Sequence, residues 1–168
     1  MGNIITNEKV NNNYLQLSNG STSVFIETIC LAGSDIAIEN YQKDIMIWFG
    51  QRDWKIVGMG CESFDISDII WNKNNFNNQK KFILNVIDLA IKKTKWELLG
   101  YIPHEMIFKT LSDFSGMINS FGIENITINN ETGIFEFDGD IQLYERCLKH
   151  TIYKHWNGCV ICNNEPIN

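Results

Sequence analysis

The spacing of apolar residues in the second half of the chain constrains the fold more than any other feature. Between residues 77 and 94, Ile83, Val86, Ile87, Ala90 and Ile91 recur at intervals of three and four, with lysines and asparagines opposite. That period predicts an amphipathic helix. A second stripe, Ile107, Leu111, Phe114 and Ile118, predicts another helix over 103–121, with Pro103 in the first turn and Gly122 just past its end. Neither stripe can be buried by its own helix, so both require a further layer to pack on.

The remaining signals supply that layer. A third helix is expected over 140–156, capped by Asp140, with Tyr144, Leu148, Thr151 and Ile152 on its apolar face and Gly158 beyond its end. Residues 21–32 follow an Asn19-Gly20 turn and read as a helix, although Val24, Phe25, Ile26, Thr28 and Ile29 would equally suit a buried strand. Strands are expected at 45–49 and 54–59, and again at 123–128 and 134–137, each pair forming a hairpin. No internal repeat, linker or shift in composition divides the chain. The expectation is a single α+β domain over residues 1–168, an antiparallel sheet of hairpins with three or four helices packed against it.

At 168 residues, with 44% hydrophobic and 20% charged side chains, the chain can bury roughly 70% of its unfolded surface and needs no disulfide to do so. Its net charge of −6 is set by 20 acidic against 14 basic residues, and only Arg52 and Arg146 are arginine. Lys92, Lys93 and Lys95 form the one basic cluster, and it suits the C-terminus of the helix over 77–94. Nucleic acid is therefore not an expected partner, whereas a basic protein is. No apolar stretch approaches the roughly 20 residues that span a bilayer, and no export signal is read at the N-terminus, so the expected location is the cytoplasm with no membrane partner. The odd set Cys30, Cys61, Cys147, Cys159 and Cys162 then reads as free thiols.

Three groups of residues carry candidate chemistry. The most metal-like is Cys147, His150, His155, Cys159 and Cys162, because zinc takes four thiolate or imidazole ligands and Cys159 and Cys162 have knuckle spacing. Val160 and Ile161 between those thiols are apolar, however, and a second Cys-Xaa-Xaa-Cys is missing, so a buried C-terminal strand with no metal and no cofactor is the expectation, with a small zinc-containing domain or enzyme as the alternative. Catalysis is not expected: there is no nucleophile elbow, no phosphate loop, and no cationic neighbour to activate Cys61. The third group, Glu62, Asp65, Asp68 and Trp71, interleaves acids with apolar residues in a pattern suited to a basic partner. The same segment also reads as a short core helix capped by Ser63 or Asp65, with Trp71 buried. Glu136 and Asp138, on the expected 134–137 edge strand, extend the candidate binding face.

In size, acidity, richness in Asn, Ile and Trp, and phrases such as Ile45-Met46-Ile47-Trp48-Phe49 and Val57-Gly58-Met59-Gly60-Cys61, the chain resembles the immunity proteins of bacterial polymorphic and contact-dependent growth-inhibition toxins. The resemblance implies a non-enzymatic, cytoplasmic protein that binds one cognate toxin domain, often a nuclease, and occludes its active site or docking surface. It carries over no site residue.

Overall fold

A computed structural model describes residues 2–128 and 144–165. The class is α+β, as expected, but the sheet is small and mixed. Strands β1 (Gly2–Asn7) and β2 (Asn13–Ser18) form an antiparallel hairpin, and β3 (Phe64–Asp65) joins the other edge of β1 in parallel, giving the order β2-β1-β3. Around it stand α1 (Asn19–Ile36), α2 (Asn40–Gly50), α3 (Phe76–Ile91), α4 (Met106–Ser120) and the short α5 (Val160–Asn164).

Helix α1 is the axis of the fold. It begins where β2 ends, with the Ser18 hydroxyl accepting from the backbone N–H of Ser21, and it touches α2, α3 and α4. Its run from Phe25 to Ser34 is buried on every side, which is why its apolar residues show no clean helical stripe. Phe25 meets Phe114 of α4 edge to face at 5.0 Å, and Phe49, Phe64 and Trp48 continue the aromatic cluster. Gly33 sets the approach of α2, since a Cβ there would sit 1.8 Å from Met46 Sδ.

The stripes over 77–94 and 103–121 become α3 and α4, which pack on one another and on α1, and residues 21–32 lie within α1. The hairpin expected from 45–49 and 54–59 is not formed. Residues 45–49 are the last turns of α2, buried all round and therefore apolar without period. Lys55–Val57 is a 3-10 turn ended by Gly58 at φ 77°, leaving Ile56, Val57 and Met59 exposed. Of the later hairpin, 123–128 carries a 3-10 turn (Ile123–Asn125), and 134–137 lies outside the described residues. The expected helix over 140–156 is not helical in its described part: Arg146 and Tyr153 form an antiparallel bridge across a tight turn, and Leu148 is fully exposed. Among the described residues, no helix is long and apolar enough to cross a membrane.

Candidate metal centre

Two consecutive turns build the site. In the first, Cys147 N–H donates to Ile152 O (2.8 Å) and Thr151 N–H returns to Cys147 O (2.8 Å), with Thr151 at φ 60° closing the loop. This folds Cys147 and His150 to the same side, and the backbone N–H of His150 points at Cys147 Sγ at 3.4 Å. In the second, His155 and Gly158 exchange backbone hydrogen bonds, Gly158 adopts φ 93°, and Cys159 becomes the residue that opens α5. Val160 and Ile161 then face the core at 1% and 2% exposure, and Cys159 and Cys162 turn toward the first loop.

The ligand atoms of Cys147, His150, Cys159 and Cys162 all lie within 4.8 Å of one another. Zinc bonds of ~2.3 Å to sulfur and ~2.0 Å to nitrogen, held tetrahedrally, require edges of about 3.8 Å between sulfurs and about 3.5 Å from sulfur to nitrogen. The observed edges are 3.7 Å from Cys147 Sγ to Cys162 Sγ, and 3.8, 3.4 and 3.3 Å from His150 Nδ1 to Cys147, Cys159 and Cys162. Four of the six edges are thus close to those of a Cys3His zinc tetrahedron, and the other two, from Cys159 Sγ to Cys147 Sγ and Cys162 Sγ, are within 4.8 Å. Three are buried and Cys162 is exposed.

The surroundings favour ligation. His150 is buried, and burial holds its imidazole toward the neutral form that binds metal. Its Nε2 lies 3.2 Å from Glu165 Oε1, without a well-aligned hydrogen bond, while Lys149 Nζ grips both oxygens of Glu165 at 2.6 and 2.7 Å. A carboxylate behind a ligating imidazole fixes its orientation and raises its basicity. Burial works against a thiolate at Cys147, but the N–H groups of His150 and Lys149 outweigh it and hold that thiol below its ordinary value. Burial pushes Cys159 and Cys162 up; a bound dication reverses that cost for all three.

His155, the remaining member of the C-terminal Cys/His group, is outside the cluster. It is buried against Gly50, its Nδ1 accepts from Asn157 N–H, and burial pushes its pKa down to about 4. Glu165, behind His150, carried no sequence signal, because nothing in the spacing ties it to the metal ligands.

The expected partner face is only partly available. Glu62 is exposed, paired with Arg52 at 3.0 Å, and accepts from Trp54 Nε1. Asp65 is committed inward, accepting from Thr6 Oγ1, Glu8 N–H and Ser67 N–H, bonds that outweigh burial and hold its carboxyl below its usual range. Asp68 is exposed and accepts from Asp65 N–H. Trp71 is corrected from anchor to core: it has no exposed surface, donates to Ile66 O at 2.7 Å and stacks on Phe121. Glu136 and Asp138 lie outside the described residues. Burial pushes the Cys61 thiol up to about 11, opposite to what a nucleophile needs.

Models of protein families, curated proteins and solved structures give no match to this chain.

Proposed function

We propose that this is a zinc-binding protein in which Cys147, His150, Cys159 and Cys162 hold one structural Zn²⁺ that ties the two turns of residues 144–165 to one another. The observation that carries this reading is the convergence of three thiols and one imidazole within 4.8 Å, with four of the six edges close to tetrahedral zinc dimensions. With three sulfurs and one nitrogen the coordination sphere is closed, and a hydrolytic zinc needs an open position for water. The metal therefore supports shape and not turnover, and the five free thiols fit a reducing compartment such as the cytoplasm. Protein purified without added metal should contain close to one zinc per chain and lose thermal stability on chelation. Metal-free protein with an unchanged melting temperature sinks the reading.

A second reading, that the domain neutralises a cognate basic toxin as immunity proteins do, is favoured by the net charge of −6 and by exposed Glu62 and Asp68 close in sequence to exposed Ile56, Val57 and Met59. Acidic groups speed encounter with a basic surface, and apolar groups supply contact energy. Co-expression with a toxin domain encoded beside it should rescue growth and co-purify the pair; neither occurring removes this reading.

A further inference from the structure

Beside the metal centre, a cavity of about 540 Å³ opens between α1, the 99–101 segment and α5. Its apolar walls include Leu99 and Ile161, both buried. Its polar lining is Glu27, Tyr101 and Asn164, with the exposed Lys149–Glu165 ion pair at the outer side.

Glu27 is the unusual member. Its side chain leaves α1 at 2% exposure, its Oε2 accepts from the Tyr101 hydroxyl, and its Oε1 accepts from Asn164 Nδ2 at 2.7 Å. The same Asn164 amide donates to Asp53 Oδ2 at 2.9 Å, so a second buried carboxylate stands directly behind. Buried carboxylates are normally matched by a cation, because desolvation makes an isolated charge costly. Among the described residues, no Lys, Arg or His forms an ion pair with Glu27; Lys55 acts on it only at longer range, and Lys149 is held by both oxygens of Glu165. Burial accordingly raises the Glu27 pKa. Two hydrogen bonds also leave carboxylate acceptor sites unused.

We propose that this cavity binds a small organic cation, a primary ammonium or guanidinium group on a short alkyl stem, with Glu27 as its counter-ion. The ammonium or guanidinium donors take the free acceptor sites of Glu27, and the stem lies against Leu99 and Ile161. A volume of this size suits a small molecule. The proposal goes beyond the zinc reading and rests on Glu27, which is not among the metal ligands, although Lys149 and Glu165 border both sites.

The test is calorimetric titration with agmatine and n-butylammonium, using n-butanol and butyrate as neutral and anionic matches, on protein whose zinc content is measured in the same sample. Both cations should bind and both controls should not, and amide resonances of Gly100 and Tyr101 should shift with the cations alone. Glu27→Gln should weaken cation binding about tenfold or more, whereas Tyr101→Phe, which frees Oε2, should keep or tighten it. The wild-type comparison decides the matter even if Glu27→Gln does not fold. Equal response to cations and controls, shifts remote from residues 100–101, or a lysine-bearing peptide binding where free agmatine does not, would each overturn the proposal. Because zinc is assayed separately, failure in zinc-loaded protein counts against the cavity alone.

Discussion

Helices α3 and α4 and the C-terminal segment 144–165 differ in what gives each its own shape. The α3–α4 pair buries Phe82, Ile83, Val86 and Ile87 from one helix and Ile107, Leu111, Phe114 and Ile118 from the other, against each other and against α1. The C-terminal segment contributes Ile152, Val160 and Ile161 to the core, while its two turns depend on positive-φ residues at Thr151 and Gly158. In the proposed reading, a zinc ion held by Cys147, His150, Cys159 and Cys162 would lock the two turns together. Where apolar area is abundant the fold is robust to chemistry; where it is thin, one ion can carry the structure.

Breaking that lock should produce the largest effect. Structural zinc in small domains is worth roughly 10–16 kcal/mol of apparent binding energy, so Cys159→Ser or chelation should release 144–165 and lower the melting temperature more than any single core truncation. Hydrogen exchange should show the loss confined first to that segment, with α3 and α4 still protected. Phe114→Ala tests the other side of the comparison: removing a fully buried ring that meets Phe25, Phe49 and Phe64 should cost about 3–5 kcal/mol in denaturant melts and leave zinc content unchanged.

A smaller effect is expected from pH. The folded state holds His155 down to about 4, below its ordinary value, so the unfolded chain takes up a proton first as pH falls. Stability contributed by neutral His155 is complete above the unfolded pKa and is lost between about 6.5 and 4, to at most on the order of 3 kcal/mol. Melts of His155→Gln against wild type across that window should differ in slope; parallel curves would show that His155 is not protected from protonation. The smallest effect belongs to the surface: Asp68→Lys removes the carboxylate that accepts from Asp65 N–H and should cost about 1 kcal/mol and, if a basic partner exists, slow its association in a salt-dependent way.

Legibility in the sequence followed the same divide. Helices α3 and α4 have one buried and one wet face, so their period is visible. Helix α2 is wrapped on all sides at Ile45–Gly50 and α1 over Phe25–Ser34, and an element without a wet face has no period to read. Strand β1 escaped for the converse reason: its inward residues are Asn3, Ile5 and Asn7, and Ile4 points outward, so its alternation is hidden by buried amides bonded to Asn19, Thr22 and Ser120.

For the metal centre, residue types were visible but their geometry was not. Reading 140–156 as a helix separates His150 from Cys159 and Cys162, whereas the Arg146–Tyr153 bridge folds the chain back and brings them together. The apolar Val160 and Ile161 that argued for a plain strand are the face by which α5 packs on the core. Trp71 shows the reverse error: an aromatic among acids has the composition of an interface, yet its indole N–H is satisfied by Ile66 O inside the core.

Cobalt substitution tests the central claim most directly. Co²⁺ added to zinc-stripped protein reports both ligand type and geometry through its visible spectrum. A Cys3His tetrahedron predicts intense d–d bands of a four-coordinate ion together with sulfur-to-cobalt charge transfer, saturating at one equivalent, bleached by Zn²⁺ and weakened in Cys162→Ser. A weak six-coordinate spectrum, or no cobalt binding by protein whose helices remain folded, would contradict the account.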